Sequence, residues 1–356
     1  MWPFMELFKC GHCGERLFFE NTCCLSCGVE AGFDWKVRRL IALKPAGGNR
    51  WQAVGDPSRL YRKCHNYEVE GVCNGLVEAD SGDAFCIACQ LNRTIPDLTV
   101  GANRFLWGKL EAAKRRLIFT LSQLELPVIP KSKNGWRGLA FDFLADQDPQ
   151  FGEGDRVLTG HNRGIITINL AEADDAVREQ MRLNLREVYR TLLGHFRHEV
   201  GHYYWDLFVQ KDQKINEVRA VFGDERLNYS EALNFYYVNG APSDWQLHFV
   251  TPYAAAHPWE DWAETWAHYL HIIDTLETAS AHGVKVQGSR KACSVRSPIQ
   301  LPMDAILDDW HALRIVLNSL NRSMGHADAY PFVISSAVAQ KLRFIHDWIQ
   351  RRRFHS

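Results

Sequence analysis

Over most of its length the chain is nearly without cysteine: of ten, only Cys293 lies beyond residue 89. No disulfide framework can span the C-terminal three-quarters, which must be held by its own apolar core. Long apolar runs are missing as well. No segment reaches the ~18 consecutive apolar residues of a membrane span, and Met1 to Cys10 lacks a basic stretch followed by an apolar one. The expected location is cytoplasmic, with no membrane partner. Net charge is almost absent, since 41 Lys and Arg against 42 Asp and Glu leave −1. No global field therefore recruits nucleic acid or an anionic surface. Low-complexity segments are lacking, and nothing repeats apart from two clusters of cysteine.

What is present divides in two. A length of 356 residues allows one large core with smaller appended modules. Up to residue 99 the text is short and turn-rich (Cys10-Gly-His-Cys-Gly14, Pro45-Ala-Gly-Gly48, Ser81-Gly-Asp83), too poor in long periodic segments to fold without staples. From Asn103 the period changes to that of helices: Phe105 to Leu124, one long helix from Asp174 through Phe208, Trp259 to Leu276, Ile306 to Leu320 and Val338 to Arg352. Strand-like runs, Leu139 to Leu144 and Gly164 to Leu170, stand between the first two. The expected architecture is α+β with helices dominant. It comprises a first zinc ribbon at 1–48, a second ribbon-like zinc module at 49–99 and a catalytic domain at 100–356.

Cys10-x2-Cys13-x10-Cys24-x2-Cys27 is a pair of CxxC knuckles at a spacing that closes tetrahedrally on one Zn(II). Cys23 is spare, because only Cys24 makes the second knuckle a CxxC followed by Gly28. Cys64-x8-Cys73-x12-Cys86-x2-Cys89 has one wider spacing, and His65 is a possible substitute ligand. Buried free thiols are the other reading, poorly matched to four cysteines in weakly hydrophobic text. Four thiolates fill a tetrahedron and leave no place for substrate, so both sites are expected to be structural. Residues 1–106 carry twelve basic and twelve acidic side chains. That balance is poor footing for phosphate, and the module is better suited to a protein partner or to a lid.

Chemistry is carried by His198-Glu199-Val200-Gly201-His202 within the long helical pattern. An i, i+4 spacing puts both histidines on one face as metal ligands, with Glu199 beside them as general base. A catalytic Zn(II) needs a third protein ligand and an open position. A third histidine six residues after the motif is excluded, since Trp205 and Phe208 occupy the positions that would need Gly and His. Downstream, Pro258-Trp-Glu260-Asp-Trp-Ala-Glu264 starts a helix with two acids on one face, flanked by Trp259, Trp262 and Trp266. Glu260 reads as the third ligand, and Glu264 as acceptor for the N–H of a ligand histidine. His268 is the rival ligand. His195 and Asp206 lie one turn from the ligands; His257 caps the Glu260 helix or touches substrate. The run Gly164–Leu170 is either an edge strand that pairs with an extended peptide or an ordinary sheet member.

HEVGH followed by a Glu-x-x-x-Glu helix resembles the gluzincin metallopeptidases. Tyr253, seven positions before Glu260, resembles the anthrax lethal factor and Pro-Pro endopeptidase group. That resemblance implies a zincin-like domain in which Tyr253 assists the metal in stabilising the oxyanion; a packed aromatic is the alternative. Nearly the whole chain is similar to a bacterial family of zinc-binding metallopeptidases with N-terminal zinc ribbons, through Leu91 to Leu98, Ile168 to Asp175, Tyr189 to His195 and Asn321 to Gly325. It implies one catalytic and two structural Zn(II) and a peptide or protein substrate. Three readings stay open: a zinc peptidase; a zinc-ribbon adaptor or nucleic-acid-associated protein whose peptidase domain acts on bound proteins; and an inactive zincin scaffold. The intact set His198, Glu199, His202, Tyr253 and Glu260 argues against the last, and the neutral ribbon module against the second.

Overall fold

A computed structural model describes residues 8–146, 157–184, 187, 190–209, 215–286, 293–294 and 298–353. Most of the start, where a leader was looked for, lies outside them. The N-terminal part is built on β-structure. A hairpin, β1 (Phe8–Lys9) with β2 (Arg16–Leu17), precedes an antiparallel meander of β3 (Glu30–Asp34), β4 (Arg39–Pro45), β5 (Trp51–Ala53), β6 (Asp56–Lys63) and β7 (Leu76–Glu78). This one sheet carries strands from both sides of residue 48.

A second sheet has the order β10-β11-β9-β8, from β8 (Asn92–Thr94), β9 (Ala140–Leu144), β10 (Gly160–Asn162) and β11 (Ile165–Asn169). Strands β8, β9 and β11 run parallel, and β10 folds back antiparallel through a two-residue turn, Arg163-Gly164. Both turn residues have positive φ, 48° and 81°, the geometry of the tight hairpin whose twist matches its strands. Strand β11 is therefore internal, and the edge lies on β10. Strand β8 comes from the segment expected to close the second ribbon-like module, yet it pairs with β9 of the domain that follows.

Helices of eight residues or more follow: α1 (Asn103–Gln123), α2 (Asp175–Asn184), α3 (Leu192–Tyr204), α4 (Ile215–Phe222), α5 (Tyr229–Asn239), α6 (Pro258–Ala281), α7 (Met303–Ser323) and α8 (Ser336–Arg353). The stretch expected as one helix over 174–208 is two. Asn184 ends α2, and Thr191, extended at φ −129° and ψ 154°, caps α3 by accepting the Gly194 N–H at 3.0 Å. Helices α4 and α5 had no counterpart in the sequence reading.

The core lies where α3 crosses α6. Tyr204, Trp262 and Trp266 are fully buried, with Tyr204 stacked on Trp266 at 4.8 Å and the Trp262 indole N–H bonded to Gly201 O at 3.0 Å. A methyl group on Gly201 would meet Ala263 Cα at 3.0 Å and Trp266 Cβ at 3.1 Å, so the glycine sets how closely the helices approach. Gly201→Ala gains about 1 kcal/mol of helix propensity but faces about 1–3 kcal/mol of overpacking. Net destabilisation is expected in urea unfolding; a gain would show that the two helices can part without cost. A buried Arg197–Asp274 pair at 2.6 Å ties the same helices together.

The β-rich part is docked on α1. Phe119 of α1 packs into Phe8, Phe19 and Phe33 at centroid distances of 6.2, 5.1 and 5.7 Å. Arg115 bonds the Asn74 side chain, and Arg38 donates to Ser122 O at 2.7 Å.

Candidate metal centre

Two ends of helix converge on the site. Pro258 occupies the first turn of α6, and His257 precedes it in extended conformation, its Nδ1 accepting the Trp259 N–H at 3.1 Å while Nε2 donates to Leu227 O at 3.1 Å. Of the two roles open to His257, the structure assigns the cap. From this start Glu260 and Glu264 face α3, where His198 and His202 present their rings. The Nε2 atoms of the histidines lie 3.2 Å apart; Glu260 Oε2 lies 3.1 Å from His198 Nε2, and Oε1 lies 3.6 Å from His202 Nε2. One ligand atom from each falls within 4.8 Å of the others.

The surrounding bonds orient these groups. Glu264 accepts from His198 Nδ1 at 2.6 Å and from Thr251 Oγ1 at 2.7 Å, which turns His198 Nε2 toward the cluster. Glu260 Oε1 accepts from the Tyr229 hydroxyl at 2.7 Å, whereas Glu260 Oε2 is buried without a hydrogen-bond partner. Burial alone would raise the Glu260 pKa, but the two imidazoles override it and hold the carboxyl well below its usual range. Burial would likewise depress His198; the two carboxylates hold it well above the ordinary imidazole value. The site is thus built to attract positive charge, and the donor set of two nitrogens and a carboxylate with an orphaned oxygen fits Zn(II).

Glu199 follows His198 and is almost wholly buried, with Oε2 lacking a hydrogen-bond partner. Tyr253 sits in a short 3₁₀ turn, Tyr253–Ala255, its ring 6.1 Å from that of His198. Burial, then the charge of Glu260, raises its pKa far above the tyrosine norm, so the hydroxyl keeps its proton and can donate. The rival His268 turns elsewhere: its Nδ1 meets the Tyr330 hydroxyl at 2.7 Å, its ring packs on Phe332 at 4.5 Å, and burial pushes its pKa down to about 4. His195 pairs with buried Glu172, which also receives Thr159 Oγ1 and pins the start of α3 to the loop before β10. Asp206 lies 3.9 Å from His161 on β10, and the His161 ring stacks over His202 at 6.3 Å.

Tyr229, Thr251, Glu172 and His161 were missed by sequence reasoning. None stands in a motif with its partner, and separations of 31 residues for Tyr229–Glu260 and 23 for Glu172–His195 carry no local signal.

The cysteines gather in the two expected groups. Cys10–Cys27 and Cys13–Cys24 sulfurs are 3.7 Å apart; Cys73–Cys86 and Cys73–Cys89 are 3.8 and 3.6 Å apart. A tetrahedron with Zn–S bonds of ~2.3 Å has edges near ~3.8 Å, so both quartets fit the ion. Cys23 is left out, and the His65 ring packs on Phe85 at 5.5 Å.

Two cysteine quartets on a β-rich module, joined to a helical domain with a His-His-Glu cluster, define a zinc-binding protein of ribbon-plus-peptidase type. Residues 103–348 match the family described as "Putative zinc-binding metallo-peptidase", and residues 7–100 match a zinc-ribbon domain; the chain belongs to that metallo-peptidase family. It is 41% identical over 343 residues to uncharacterized proteins of Mycobacterium bovis and Mycobacterium tuberculosis, covering 96% of this chain and 94% of theirs. No solved structure matches it. Among the described residues no helix is long and apolar enough to cross a membrane.

Proposed function

We propose that this protein is a gluzincin-type peptidase that hydrolyses peptide bonds in a peptide or protein substrate, with His198, His202 and Glu260 as zinc ligands and Glu199 as general base. One observation carries the reading. Oε2 of Glu260 and Oε2 of Glu199, on two crossing helices, are both buried without a hydrogen-bond partner. Leaving a buried acceptor unsatisfied costs about 1–3 kcal/mol, more for a charged one. Such a cost is tolerated where a ligand relieves it, here a metal ion for one oxygen and the attacking water for the other.

When bound, Zn(II) supplies Lewis acidity, which brings the pKa of a water to about 7 and polarises the scissile carbonyl. The chain supplies the rest. Glu199 takes the proton of the attacking water and delivers it to the leaving amine nitrogen. Tyr253, kept protonated by its surroundings, donates to the carbonyl oxygen as negative charge develops there. Glu264, held by Thr251, keeps His198 in the tautomer that turns Nε2 toward the cluster. Strand β10, the edge next to α3, offers backbone groups for an extended substrate.

The test is a cleavage profile of the intact protein against a peptide library, with Glu199→Gln as control; cleavage by both proteins alike, or by neither, would sink the reading. Tyr253→Phe keeps the ring, so melting temperature and zinc content should hold. Turnover should fall about 10²-fold, the scale of one lost oxyanion donor, with little change in substrate affinity. Wild-type turnover in that variant would return Tyr253 to a packing role.

A further inference from the structure

Helix α5 is a peripheral element: none of its residues is buried, and Phe235, Tyr237 and Val238 are exposed. Yet its first residue reaches the metal centre. Tyr229 leaves the cap formed by Asn228, whose side chain accepts the Glu231 N–H at 3.2 Å, and its ring lies between His257 at 5.1 Å and Trp259 at 5.5 Å. The hydroxyl donates to Glu260 Oε1 at 2.7 Å, the only partner of that oxygen among the described residues besides His202. The other oxygen, Oε2, has no hydrogen bond and is the nearer to His198 Nε2.

We infer that Tyr229 is a positioning residue that makes Glu260 a ligand through one oxygen. The inference rests on the reading of Glu260 as the third ligand. A carboxylate can bind Zn(II) through one oxygen or two, and the second oxygen would fill the position that water and substrate carbonyl need. A hydrogen bond to Oε1 draws charge from that oxygen and holds the plane of the carboxylate. Only Oε2 would then be free to bind an ion, which would leave the fourth position for water or substrate. Tyr229 has a role separate from the one proposed for Tyr253: its hydroxyl bonds Glu260, whereas Tyr253 is the proposed oxyanion donor.

The experiment uses the full-length protein with its thiolate sites loaded, after the more exchangeable metal has been removed with a mild chelator. Zinc affinity is measured by competition, and cobalt(II) is then placed in the vacated site for its visible spectrum. Tyr229→Phe retains the ring and should keep the melting temperature. It should weaken zinc by roughly 10–100-fold, the scale of removing a group that orients a ligand. The cobalt bands should lose intensity as a four-coordinate site becomes five-coordinate, a change that a merely structural role would not produce. Unchanged affinity and spectrum in Tyr229→Phe, beside a large loss of both in Glu260→Gln, would overturn the inference and leave the ligand reading standing. Unchanged metal binding in Glu260→Gln would overturn both.

Discussion

Glu199→Gln is expected to retain all its zinc and lose roughly 10²–10⁴-fold in hydrolysis, because on the proposed mechanism the substitution removes a base and not a ligand. The side chains are nearly equal in volume, and Glu199 is only 6% exposed, so packing on α3 should not change. An amide cannot accept the water proton at neutral pH, nor return it to the amine. Substrate binding relies on other groups, so the loss should appear in turnover and not in affinity. The contrast is Glu260→Gln, where weakened metal binding should come first and lost activity follow from it. Metal content by elemental analysis, measured with the turnover of each variant, separates the two. Equal zinc loss in Glu199→Gln would mean that Glu199 holds the metal and that the base lies elsewhere.

Some of this was legible in the residues because local rules suffice. An i, i+4 spacing puts His198 and His202 on one helical face whatever surrounds them, and Pro258 followed by Glu260 and Glu264 marks a helix start with two acids on one side. The cysteine quartets are legible for the same reason, since tetrahedral ligation constrains spacing. Gly201 is visible as an anomaly, but only the crossing of α3 over α6 explains it. Other features depend on which elements meet. Thr191 is one polar residue in an amphipathic run, and nothing in the run itself says that the helix must restart there. Strand β11 is β-branched enough to be an edge or an inner strand, and the turn at Arg163-Gly164 that adds β10 outside it decides the matter. Tyr229 lies in a helix whose faces are nearly uniform in polarity, so periodicity gives no warning of it.

A chain beginning at residue 100 is expected not to yield a folded, active peptidase, although the change of sequence texture invites a cut there. Strand β8 would be lost from the edge of the sheet that carries β9 and β11, and with it the grip of Arg93 on Asp142 through two guanidinium nitrogens. Helix α1 would suffer more. Glu111 and Lys114 are fully buried against Asn92, which bonds both, and Cys89 of the second quartet lies 3.8 Å from the Glu111 carboxylate. Phe119 would lose the aromatic cluster of Phe8, Phe19 and Phe33. Helix α1 also packs on α3, the helix that carries His198 and His202. Exposing α1 should therefore loosen the support of the proposed metal centre. A gentler probe is Asn92→Ala in the full chain, where a buried ion pair loses a hydrogen-bonding partner at a cost of about 1–3 kcal/mol. Urea unfolding should register that change with zinc in the quartets intact. For the truncation, soluble yield, near-ultraviolet circular dichroism and turnover should all be lost together. A soluble 100–356 fragment that binds one zinc and cleaves the same peptides would show that the ribbons are an accessory to the domain and no part of its core.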